Sequence, residues 1–133
     1  MPWVVEWIDK ELHIYDSAIR DPFTESDLVD FYEAWFEFVE SGPSPLYALF
    51  DISEWGGGMS ILDERFARMG HYKDKIRVIA MVGGRGQTAV LLARIGASVL
   101  GRPDWFEFFD TRADALAYLR ERAAADLGQS SRS

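Results

Sequence analysis

Two runs, Leu46–Ile52 and Ile76–Val82, each carry a single charged side chain, Asp51 and Arg77, among otherwise apolar or aromatic residues. Segments this short and this apolar, with Pro45 before the first and Gly83-Gly84 after the second, read as strands buried on both faces. Such strands need helices above and below them. A helical pattern lies between the two runs, so they are expected to pair in parallel through a right-handed crossover.

The rest of the chain fits around these strands. Trp3–Ile8 and Leu12–Ile19 are β-branched and aromatic, and Asp9-Lys10-Glu11 between them predicts a hairpin. Asp21-Pro22-Phe23 breaks the chain, and Thr24-x-x-Asp27 is an N-cap signal. The helix that follows puts Leu28, Phe31, Tyr32, Trp35, Phe36, Phe38 and Val39 on an arc of about 160°. Asp30, Glu33, Glu37 and Glu40 lie opposite and read as a solvated acidic face. Gly42-Pro43 stops that helix. Ser60-x-x-Asp63 is a second cap signal, opening a helix with Ile61, Leu62, Phe66, Met69 and Tyr72 inward. Gln87–Leu100 is predicted helical and Trp105–Phe109 a strand, and Thr111-x-x-Asp114 caps a closing helix that buries Leu116, Leu119 and Ala123. The predicted fold is a single α/β domain over 1–126, with a mixed, mostly parallel sheet, an N-terminal hairpin and four helices (β-β-α-β-α-β-α-β-α). A disordered tail is expected over 127–133.

Composition narrows the function classes. The 133 residues are 48% hydrophobic and 14% aromatic, enough for a core without covalent help. The absence of cysteine removes disulfides, thiolate metal ligands and thiol nucleophiles together. With two histidines and no cysteine, neither a metal site nor a cofactor is expected. The net charge of −8, with the 14 basic residues scattered, argues against nucleic acid. Met1-Pro2-Trp3 lacks a basic leader, and no apolar run approaches the ~20 residues of a membrane span. A soluble cytoplasmic protein is the expectation.

In open α/β sheets ligands collect at the carboxyl ends of the strands. The loops expected there would bring Asp51, Ser53, Trp55, Arg85, Gln87 and Asp110 around one crevice, with Trp55 as a mobile lid beside three glycines. The plainer reading is that these glycines make turns and the Ser, Thr and Asp residues cap helices. Gly84-x-Gly86-x-x-Ala89 formally matches a dinucleotide fingerprint, although that motif normally belongs to the first βαβ unit. Ser53, His71 and Asp51 supply the residue types of a triad without a nucleophile elbow. His13 is expected on the polar face of the hairpin and His71 at the end of the second helix.

The segment from Ala89 to Leu100 carries only Arg94 as a charge, so its helix must be covered on more than one side. Ala89, Ala93, Ala97 and Gly101 make a small-residue row, and Leu92, Ile95 and Val99 lie along another side. Either a neighbouring helix covers the second side, or these residues join Trp35, Phe36 and Phe38 in an apolar ligand site or homodimer contact.

Three stretches together resemble the SpoIIAA-like (STAS-type) domains, the fold of bacterial anti-sigma-factor antagonists. They are Asp21-Pro22-Phe23-Thr24-Glu25-Ser26-Asp27-Leu28; Leu49-Phe50-Asp51 with its Trp- and Gly-bearing loop; and His71 to Gly83 followed by Phe108-Phe109-Asp110 and a helix with Ala115 to Leu119. The resemblance covers about residues 3 to 120 and speaks for fold more than activity. Antagonists of this kind carry a phosphorylatable serine in an Asp-Ser/Thr-Ser/Thr-Gly context. Here Asp51-Ile52-Ser53-Glu54 departs from it, and a phosphate on Ser53 would sit beside Asp51 and Glu54, a repulsive setting. What the resemblance implies is a non-catalytic regulatory or carrier module for a protein partner or an apolar small molecule or lipid. The alternative is a small enzyme or nucleotide binder using the Gly-rich loops.

Overall fold

A computed structural model describes residues 2–57, 64–83, 96, 101–102 and 104–132. Among them the order is β1 (Trp3–Asp9), β2 (Ile14–Arg20), α1 (Glu25–Ser41), β3 (Leu46–Glu54), α2 (Glu64–Met69), a 3-10 turn (Gly70–Tyr72), β4 (Ile76–Val82), β5 (Phe106–Phe109) and α3 (Arg112–Arg132). The five strands form one mixed sheet in the order β1-β2-β3-β4-β5. β1 runs antiparallel to β2, and every later pair is parallel. The α/β class, the hairpin and the parallel pairing are as the sequence predicts. The helix expected over 87–100, and with it the count of four helices, lies outside the described residues.

Period-two alternation divides the sheet between two cores. Tyr15, Ile19, Leu46, Ala48, Phe50, Ile52, Ile79 and Met81 pack under α1, which adds Leu28, Phe31, Tyr32, Trp35, Phe36 and Val39. Ile14, Tyr47, Leu49, Val78, Ala80 and Val82 face α3, which adds Ala115, Leu119 and Ala123. Among the described side chains, the Tyr15 hydroxyl is the polar atom that this packing strands: it is buried with no well-formed hydrogen bond. Burial raises its pKa and keeps it neutral.

Helix α1 starts where its cap signal stands. The Thr24 hydroxyl accepts from the Asp27 amide at 3.1 Å, and the Thr24 amide donates to the Asp27 carboxylate at 2.9 Å. Helix α3 begins in the same way, with the Asp114 amide donating to Thr111 Oγ1 at 3.1 Å. It continues to Arg132, through the stretch read from sequence as a tail. The cap expected at Ser60 and Asp63 lies outside the described residues.

Several boundaries move. The hairpin turn extends to His13, which takes φ 61° and holds Nδ1 2.8 Å from the Pro45 carbonyl oxygen. His13 therefore belongs to a turn and tethers the β3 entry, instead of alternating along β2. Strand β3 runs two residues past Ile52, so Ser53 is part of the strand and not of the loop. Strand β5 starts at Phe106, and Trp105 is a core residue whose indole donates to the Ile76 carbonyl at 2.8 Å.

Candidate functional site at the carboxyl end of the sheet

Asp16 on β2 and Asp51 on β3 point to the face covered by α3, because each shares parity with residues of that core. Asp16 is only 6% exposed. A buried carboxylate is costly unless paired. Its partner is Arg112, in the first turn of α3. Arg112 Nη2 lies 2.5 Å from Asp16 Oδ2, and Nη1 lies 3.2 Å from both Asp16 Oδ1 and Asp51 Oδ2. The guanidinium thus grips one carboxylate with both nitrogens and touches the second, a geometry suited to its planar fork. Hydrogen bonding to Asp16, opposed by burial, leaves the Arg112 pKa raised further.

Asp51 also organises the end of its own strand. Its Oδ1 accepts from the Ser53 amide at 2.9 Å and from the Ser53 hydroxyl at 2.6 Å. Gly83, just past β4, comes so close that a Cβ there would stand 2.7 Å from Ser53 Cα, and its φ of 79° also favours glycine. Asp21 accepts from the Gly56 amide at 2.9 Å and holds the loop after β3 to the end of β2.

Asp16, Asp51, Ser53 and Arg112 line an open cleft of about 410 Å³, together with Val4, Glu6, Ala18, Ile19, Arg20 and Glu54. It lies where the paired segments of β1 and β2 run beyond α3, which packs mainly on β3, β4 and β5. The lining carries four carboxylates against two guanidinium groups.

Among the described residues, those expected to ring the crevice do not all meet. Asp51 and Ser53 do sit together in the cleft. Asp110 is exposed just after β5, two strands across from β3. Trp55 is the clear correction: it is 4% exposed, inside the core under α1, and no lid. The chain turns at the end of β3 so that this ring is buried on the side opposite Ser53. Arg85 and Gln87 lie outside the described residues, as does the Gly84-x-Gly86-x-x-Ala89 phrase.

The apolar face of α1 is used internally. Trp35 and Phe36 are buried, with Tyr72 against both rings and the Arg68 guanidinium 4.2 Å over Phe36. Phe38 packs on Trp7 and Tyr15. Val29 is the exposed large hydrophobic among the described residues. Leu92, Ile95 and Val99 lie outside those residues.

Arg112, Asp16 and Glu6 were not singled out from the sequence as site residues, although one signal points to Asp16 and another to Arg112. Asp16 alternates into the same face as Ile14 and Ala18, where a charge needs a partner. Arg112 sits at a helix start, where the macrodipole disfavours a cation and some other attraction must hold it. Both histidines are far from Ser53: His13 precedes β2 and His71 lies in the turn before β4, at the opposite end of the parallel strands.

No three-residue cluster of metal-ligating type occurs among the described residues. No described helix is long and apolar enough to cross a membrane. Comparison with known proteins finds no matching family model, curated protein or solved structure.

Proposed function

We propose that this chain is a non-catalytic regulatory or carrier module of the SpoIIAA-like (STAS-type) kind, and that it engages a protein partner at the carboxyl-end cleft. The observation that carries this reading is the state of Ser53, the hydroxyl among the described residues that line the cleft. Its hydroxyl donates to Asp51, and the charge of Asp51 is already compensated by Arg112. Nucleophilic catalysis needs a base free to take the proton, and both histidines stand at the other end of the sheet. The coarse architecture this reading starts from is the five-stranded sheet taken in sequence order, with β1 antiparallel to β2 and β2 to β5 parallel.

A protein partner ranks ahead of an apolar small molecule because Trp35, Phe36 and Phe38 are consumed by the core under α1. The cleft is open and its lining carries the charges of Glu6, Arg20 and Glu54, which suits a polar docking surface. Its excess of carboxylates disfavours phosphate compounds, which weighs against the nucleotide alternative.

Native mass spectrometry against the denatured mass tests the reading. A bound protein lost on Arg20→Glu supports it. An apolar adduct lost on denaturation would transfer the role to a carrier site elsewhere. Turnover of an ester or phosphoester panel that disappears in Ser53→Ala would overturn the non-catalytic reading.

A further inference from the structure

Strand β1 is an edge of the sheet, and its outer side carries a row of backbone groups with no partner among the described residues. Their direction follows from one bond: the Pro2 carbonyl accepts from the Arg20 amide at 2.8 Å. In an antiparallel pair the groups facing the neighbour alternate. Pro2, Val4 and Glu6 therefore face β2, and the N–H and C=O of Trp3, Val5 and Trp7 point outward. The regular stretch ends at a register shift between Trp7 and Asp9. It contains no Lys or Pro, the residues that usually blunt an edge, and Glu6 is its exposed position.

We infer that this edge pairs antiparallel with the same edge of a second copy, about a two-fold axis at Val5. The window Trp3–Trp7 is centred on Val5, so this register uses all of it. Val5 then opposes Val5 of the other copy, and Trp3 opposes Trp7. All three pairs are of the hydrogen-bonded type, because these are the residues whose groups point outward. On the other face Glu6 opposes Val4. Moving the axis to Glu6 sets two carboxylates against each other at the closest spacing, which is destabilising. Moving it to Val4 leaves Trp7 unpaired. An axis between residues sets outward groups against inward ones and forms no ladder. The occupant is a second copy and not an unrelated strand because the sequence Trp-Val-Val-Glu-Trp repeats its aromatic residue at both ends. Each indole meets an indole across the axis, and a closed two-fold contact results.

The contact is narrow compared with the ~1,200 Å² of a stable interface, so the dimer forms in a concentration-dependent way. Hydrogen exchange of the unmodified protein, read over a wide concentration range beside sedimentation, tests it directly. The Val4 and Glu6 amides are protected at every concentration by β2 and serve as internal controls. The Trp3, Val5 and Trp7 amides gain protection as the dimer forms. Val5→Pro removes an outward N–H and no bond to β2, and weakens association about tenfold or more. Val4→Lys puts an ammonium opposite Glu6 and strengthens association at low salt. A monomer throughout the range overturns the inference, as does a dimer whose outward amides exchange freely. Association of Val5→Pro at unchanged strength, with its circular dichroism intact, overturns it too.

Discussion

Replacing Arg112 by alanine removes the cation from between Asp16 and Asp51, and two opposed effects decide the result. An arginine in the first turn of a helix meets the positive end of the macrodipole, so its removal alone should stabilise by about 0.3–1 kcal/mol. Against this stands the Asp16 carboxylate, 6% exposed and held at 2.5 and 3.2 Å by the same guanidinium. Removing one partner of a buried pair costs about 3–5 kcal/mol. The Arg112 side chain is 41% exposed and the cleft is open, so water can enter the vacated space. Screening of that kind brings the expected net loss down to about 2–3 kcal/mol. For a chain of 133 residues, an unfolding entropy near 2.1 cal/mol/K per residue converts this to a fall in Tm of about 7–11 °C. Urea unfolding and calorimetry measure it, with Arg112→Ala, Asp16→Asn and the double variant closing a cycle. The double variant should recover much of the loss, because the buried position 16 is then neutral while Asp51 keeps its bonds from the Ser53 amide and hydroxyl. A stabilised Arg112→Ala, or strictly additive single variants, would refute the claim that the ion pair governs this end of α3.

Three further outcomes follow from the same packing. Burial raises the Tyr15 and Tyr47 hydroxyl pKa values, and for Tyr47 the Asp126 carboxylate, 2.7 Å away, adds to it. Folding thus favours the protonated phenols, so their contribution is intact below the ordinary tyrosine pKa of about 10 and is lost as pH rises above it. Absorbance titration should find these two phenols ionising only as the chain unfolds. Gly83→Ala should cost about 2–4 kcal/mol in urea unfolding, since the added methyl meets Ser53 Cα at 2.7 Å and the φ of 79° is strained for alanine. A loss below about 0.5 kcal/mol would mean that the β4 end is not held against β3. Trp55→Ala should destabilise by about 3–5 kcal/mol as a core deletion, whereas Ser53→Ala should cost under about 1.5 kcal/mol. Equal effects of the two would return Trp55 to the surface.

Local chemistry along the sequence already determined much of the fold. The limits of β4, the two threonine caps and the parallel pairing of the later strands were legible because a cap spans three residues, a buried strand is a short apolar run and strands separated by helices pair in parallel. Asp51 and Ser53 were legible as neighbours because they lie close together in the chain. The site itself was not, since it depends on distance in space. Arg112 meets Asp16 across 96 residues and Asp51 across 61. Only the pairing of β2 with β3 and the path of α3 over them brings these charges together. Trp55 was misread because a window with three glycines says nothing of which side of the sheet the chain takes on leaving β3. The aromatic arc of α1 was correctly located, but its occupancy by Trp7, Tyr15 and Tyr72 depends on elements far away in sequence. Periodicity specifies which face a residue takes, and tertiary packing alone decides what that face will meet.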